Sequence, residues 1–203
     1  MEAPLIYEPW GCRSVCTVDL STRKVHKLFD WSVVRTNGYY GCLELSPDHK
    51  RLLTNPQNGE WGPTADVYVC DQDGTHVRVV WQDPDWPDRN QGTSDRCLVW
   101  LVGDRFVWCR DARPGNRVSD MAIVTCRLGE TNFQALTPWK GFNYPLAGSP
   151  DGKRLLFTTE DTPGGGNLEL WTMNLDGTDR RKLVERKFAC DRCPAARWVK
   201  RPH

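Results

Sequence analysis

Apolar and polar residues alternate along this chain in runs of four to eight positions, the period of a half-buried β-strand. Four segments carry the pattern in parallel and align without a gap: SVCTVDLSTRKVHKLF (14–29), DVYVCDQDGTHVRVVW (66–81), AIVTCRLGETNFQALT (122–137) and ELWTMNLDGTDRRKLV (169–184). Their first residues lie 52, 56 and 47 positions apart. Each reads as a strand, a two-residue turn and a second strand. The turn pairs are Ser21-Thr22, Asp73-Gly74, Gly129-Glu130 and Asp176-Gly177. Two of these are Asp-Gly, a pair that accepts the positive φ of a tight hairpin. Spacing of the kind that marks an amphipathic helix is missing.

A second hairpin precedes three of these segments, at 42–55, 98–111 and 145–158. Its turns fall at Pro47-Asp48-His49, Gly103-Asp104 and Pro150-Asp151-Gly152. Each unit is then a four-stranded meander of about fifty residues, a repeat length shared with propeller blades. One such sheet is marginal alone, and radial stacking of neighbours buries both of its faces. The expected fold is all-β, a single β-propeller domain over 1–203 with four four-stranded blades. Blade 1 covers about 40–81, blade 2 about 95–137 and blade 3 about 144–184. Segment 3–10 reads as the second strand of a blade and 194–203 as a first strand, so 194–203 and 3–29 together make blade 4. Sharing a blade between the termini closes the ring and ties off both sheet edges. The rival reading is an arc of a larger ring, completed by another copy or by further sequence.

The words LSPDHKRLL…VYVCDQDGTHVRVV and GSPDGKRLLFTTEDTPGGGNLELWTMNLDGTDRRKLV resemble the TolB-like β-propeller repeat. That repeat runs Ser-Pro-Asp-Gly-Lys, an apolar strand, a polar loop, an aromatic strand, Asp-Gly and a basic strand. The unit at 145–184 is the nearest to it, 42–80 follows, and the middle unit departs at Val102-Gly103-Asp104 and Gly129-Glu130. The resemblance implies an architecture shared by periplasmic partner-binding proteins, serine peptidase propellers and oligogalacturonate lyases. It leaves function to the loops.

In a propeller, the loops between blades and those joining strands two and three of a blade share one face. Here that face carries Trp10, Trp31, Trp61, Trp86 and Trp139, with Phe188 in the fourth inter-blade loop. Trp31, Trp86, Trp139 and Phe188 follow the ends of four successive repeats, so rotational symmetry would gather them around one mouth. Asp30, Asp85, Lys140 and Arg186 stand beside them. Aromatic area with a few polar groups suits a protein, peptide or glycan ligand. The plainer role for any one of these aromatics is to cap the packing between blades.

Nine cysteines divide into two groups. Cys42, Cys70, Cys97, Cys109 and Cys126 lie in or beside strands and read as small buried hydrophobes. Cys12, Cys16, Cys190 and Cys193 map to the closing blade, where a structural zinc, a disulfide or free thiols all fit the spacing. No other cofactor is implied.

Charge narrows the partners. Twenty-seven basic and 26 acidic residues give a net charge of +1, which favours no nucleic-acid partner. No window is long and apolar enough for a transmembrane segment. The opening MEAPLIYEPWGC has neither the basic nor the apolar region of a secretory signal. An odd number of scattered cysteines leans toward the cytoplasm, whereas the resemblance implies a bacterial envelope. The expected assembly is a monomer or self-associated half-rings.

No nucleophile elbow, phosphate loop or His-Glu-x-x-His occurs. The histidines, His26, His49, His76 and His203, avoid the loop face. The loop acids Asp30, Asp83, Asp85, Asp88, Glu160 and Asp161 read as solvated. The expected function is noncatalytic binding through the aromatic loop face. The alternatives are a carbohydrate lyase or hydrolase using acidic loop residues, and a fragment or subunit of a larger propeller.

Overall fold

The computed structural model describes residues 5–7, 14–19, 21–33, 38–58, 66–82, 97–112, 120–160, 168–184 and 198. Among them the structure is all-β apart from one 3₁₀ turn, Trp31–Val33. Strands β1 (Leu5–Tyr7), β2 (Ser14–Asp19) and β3 (Lys24–Asp30) form the first sheet. The second holds β4 (Gly38–Leu45), β5 (Arg51–Asn58), β6 (Val67–Asp71) and β7 (Arg78–Trp81). The third holds β8 (Val99–Trp100), β9 (Arg105–Asp111), β10 (Met121–Arg127) and β11 (Gln134–Ala135). The fourth holds β12 (Phe142–Gly148), β13 (Arg154–Glu160), β14 (Glu169–Asn174) and β15 (Arg181–Lys182). Every sheet is an antiparallel meander in chain order.

Side-chain hydrogen bonds explain why SPD-x-KR occurs twice. Ser46 Oγ donates to Asp48 Oδ1 at 2.5 Å and accepts the amides of Lys50 and Arg51 at 3.2 and 2.9 Å. Ser149 repeats the same three contacts with Asp151, Lys153 and Arg154. One hydroxyl thus satisfies two amides that the bend removes from the ladder. The Asp-Gly-Thr turns work likewise: Asp73 Oδ1 accepts both the amide and the hydroxyl of Thr75, and Asp176 does so for Thr178.

Two features depart from the pattern. The outer strands β11 and β15 are only two residues long. Beyond β11, Thr137 leaves the regular ladder to accept the Ile123 amide on its hydroxyl. The first sheet has three strands among the described residues. The expected fourth strand, 194–203, lies outside them except for Trp198, whose indole donates to the Ala147 carbonyl at 3.4 Å.

The chain divides into two compact units, Met1–Thr93 and Ser94–His203. In the first, Val15, Phe29 and Trp31 pack against Leu52 and Cys70, joining its two sheets. In the second, Val99, Leu101, Val107, Ile123 and Leu136 meet Leu155, Phe157 and Met173. The same turn abuts the neighbouring sheet in each unit. A Cβ on Gly74 would sit 2.5 Å from the Phe29 ring, and one on Gly177 would sit 2.7 Å from the Leu136 carbonyl. Glycine is required there both for space and for φ of +83° and +84°.

Candidate functional site

Strand alternation sends Phe106, Trp108 and Arg110 of β9 to one face. The rings of Phe106 and Trp108 stack at 5.2 Å. Phe133, in the approach to β11, meets Trp108 edge-on at 6.5 Å and Trp139 edge-on at 6.4 Å. The Arg110 guanidinium lies 4.7 Å from the Phe133 centroid and 5.9 Å from that of Trp139. This ladder runs from the buried Phe106 and Trp108 to Trp139, which is 37% exposed. Arg110 is itself buried, so its charge polarises the rings from within.

The loop carrying Trp139 is tied down on both sides. The Lys140 amide donates to the Pro138 carbonyl at 2.9 Å, and the Gly141 amide to Asp120 Oδ1 at 2.8 Å. The buried Asn143 side chain donates to the carbonyls of Met121 and Lys140 at 2.7 and 3.1 Å. Trp139 is therefore an exposed aromatic on a fixed backbone, with the exposed Lys140 next to it.

Of the other expected site residues, Trp31, Asp30 and Cys16 are described, all in the first unit. Trp31 has no exposed surface and packs edge-on against Phe29 at 6.1 Å. It is a core side chain and offers a ligand nothing, because the 3₁₀ turn folds it back between the two sheets. Asp30 accepts Ser14 Oγ and Lys27 Nζ, both at 2.6 Å. The Lys27 bond, then the Ser14 bond, hold its carboxyl below the usual range. Trp10, Trp61, Trp86, Asp85, Arg186 and Phe188 lie outside the described residues. So do Cys12, Cys190 and Cys193, while Cys16 is a buried free thiol in β2. Among the described residues no three metal-ligating side chains cluster.

One acid needs correction. Glu160 is buried at the end of β13, not solvated in a loop. Asp111 is buried at the end of β9, so two sheets carry a buried acid where their second strand ends. The sequence reading missed Arg110 and Phe133 as site residues. Phe-x-Trp-x-Arg alternation in β9 was the available signal for the first. For the second, only tertiary contact brings the ring under Trp139.

No protein-family model and no curated protein matches the chain. Solved structures do. TolB from Acinetobacter baumannii is 19% identical with a TM-score of 0.62, over 93% of this chain and 41% of that one. An oligogalacturonate lyase in complex with manganese is 16% identical with a TM-score of 0.58, over 89% and 50%. The β-propeller domain of the Trilobed protease from Pyrococcus furiosus is 16% identical with a TM-score of 0.54, over 90% and 57%. The chain has the TolB-like β-propeller fold. It spans 41% and 61% of two TolB structures that it matches, so their whole-protein activities are not carried with the fold.

Proposed function

We propose that this chain is a noncatalytic propeller scaffold that binds a protein, peptide or glycan partner through its aromatic loop surface. The observation that supports it is Trp139: an exposed indole on a loop pinned at Lys140 and Gly141, backed by Phe133 and Arg110. A rigid aromatic gives contact area at little entropic cost. The cation beneath Phe133 and Trp139 holds both rings in place. Screening the full chain on glycan and peptide arrays, then comparing Trp139→Ala and Trp139→Phe, tests this. Truncation of an aromatic hot spot costs about 2 kcal/mol or more of binding. Undiminished affinity of a correctly folded Trp139→Ala for every array ligand would exclude Trp139 from the surface that binds.

The buried acids Asp111 and Glu160 favour a second reading, a carbohydrate lyase or hydrolase. Incubation with acidic oligosaccharides, with chain length followed by chromatography, separates the two. Cleavage that disappears in Asp111→Asn or Glu160→Gln would replace the binding reading.

A further inference from the structure

The outer strands of the four sheets differ in length. β11 and β15 have two residues each and β7 has four, but β3 has seven. A long outer strand presents a row of backbone donors and acceptors to any extended chain that comes alongside. β3 pairs with β2 on one side only, among the described residues. Lys24, Val25, His26 and Lys27 are all exposed, with Val25 at 58%.

Cations lead along this edge, with Asp30 at its far end and Asp19 of β2 across from Lys24. Arg23, Lys24 and Lys27 lie within five positions, with His26 among them. Lys27 is held by Asp30 at 2.6 Å, which leaves Arg23 and Lys24 as the exposed cations at the start of the strand. A cavity of about 630 Å³ borders the same strand at Leu28. Thr17, His49, Lys50, Asp71, Gln72 and Asp73 complete its lining, so it lies between the first and second sheets of one unit. Its two acids are engaged: His76 Nδ1 lies 2.6 Å from Asp71 Oδ2, and Asp73 holds Thr75. Lys50 has no ion-pair partner among the described residues and stands on the cavity wall.

We infer that β3 is a docking edge for an extended acidic peptide, which adds to the first sheet as a further strand. Backbone pairing along 24–30 supplies the affinity. Alternate side chains of the peptide then turn toward the cavity beside Leu28, and Arg23, Lys24 and Lys50 select for carboxylates. A second copy of this chain is a poorer occupant, because edge-to-edge pairing of β3 with itself brings Lys24 and Lys27 near their own kind. Lysines on an edge strand also discourage aggregation. That role repels basic strands, makes apolar ones costly because they would desolvate the lysines, and leaves an acidic one free to dock.

The test uses the full chain and a fluorescein-labelled, end-capped heptapeptide of alternating Glu and Val. Three comparisons accompany it: the Lys/Val analogue, an N-methylated Glu/Val peptide that cannot pair through one backbone edge, and the Arg23→Glu/Lys24→Glu variant. Anisotropy should show binding of the Glu/Val peptide, weakening as salt rises. Binding should fall about tenfold or more in the variant, as it does when interfacial charge is reversed, and be lost with the other two peptides. Amide hydrogen exchange should show new protection confined to 24–30. Equal binding of the N-methylated peptide, or no protection in β3, would reduce the effect to unspecific charge attraction and overturn the docking edge. So would a dimer in sedimentation whose formation protects β3 without peptide. Circular dichroism of the variant guards against misfolding, and the peptide comparisons on the parent chain stand without it.

Discussion

At the residue scale, the repeats act as internal controls for one another. His49 and Gly152 hold the same place in the two Ser-Pro-Asp turns, and both have left-handed backbones, with φ of +60° and +68°. Glycine adopts that region freely, whereas a residue with a Cβ is disfavoured there by about 1 kcal/mol. His49→Gly should therefore stabilise the chain by about 0.5–1 kcal/mol, read as a shift in the urea midpoint. Gly152→Ala should destabilise it by about 1 kcal/mol or more, because its Cβ would also press on Val102 at 2.7 Å. An unchanged midpoint in both would mean that the turns relax without cost. Buried thiols give a second check. Burial pushes the Cys70 thiol up to about 12, with Asp71 and Asp73 adding to it, and burial pushes Cys126 up to about 11. Neither should react with iodoacetamide at pH 8 in the folded chain, and both should react in urea. Rapid native labelling of either, located by mass spectrometry, would contradict the packing. Trp31 shows where residue-level reading stops: its place after a strand end was legible, but its inward turn depends on the sheet against which it packs.

At the element scale, hairpins and their turns were legible because local chemistry determines them. Serine or aspartate at the bend captures amides within five positions, and Asp-Gly accepts positive φ. The lengths of the outer strands were not legible. In 122–137 the alternation runs on past residue 135, and Leu136 still donates its amide to the Ile123 carbonyl at 2.8 Å, but Thr137 takes the Ile123 amide on its hydroxyl in place of a backbone carbonyl. The same turns carry a pH dependence. Asp48 and Asp151 are held below the usual carboxyl range first by their serine bonds, then by the amides of Lys50 and Lys153. Asp73 and Asp176 are lowered first by the hydroxyls, then by the amides, of Thr75 and Thr178. A carboxyl lowered on folding binds its proton more readily in the unfolded chain. Its stabilisation is then complete above the unfolded value, about 3.9, and is lost as pH falls through the folded value. The parent should lose stability on acidification below about pH 4. Replacing Asp48 and Asp151 together by Ala should lower stability at pH 7 and flatten that acid loss. Parallel stability–pH curves for the variant and the parent would show that these turns do not titrate as described.

At the scale of the whole molecule, stability lies between sheets more than within them. An isolated four-stranded meander exposes two apolar faces, and each unit here buries one such face against another. In the second unit the contact is made by Val107 and Ile123 from the third sheet with Leu155, Phe157 and Met173 from the fourth. The fold was legible because the repeat period demanded such partners. The partition into two units was not, since the Pro- and Gly-containing stretch QDPDWPDRNQGTSD (82–95) reads as one inter-blade connection among several. Leu155 is fully buried at the centre of this contact. Leu155→Ala should cost about 2–5 kcal/mol, the range for large-to-small changes in a core that cannot collapse around the void. Its distinguishing result is where protection against hydrogen exchange is lost. If the two sheets form one cooperative unit, β9 and β10 lose protection together with β13 and β14, although the substitution lies in β13. Loss confined to the fourth sheet would mean that each meander stands by itself, and the inter-sheet core would then not be the source of stability in this unit.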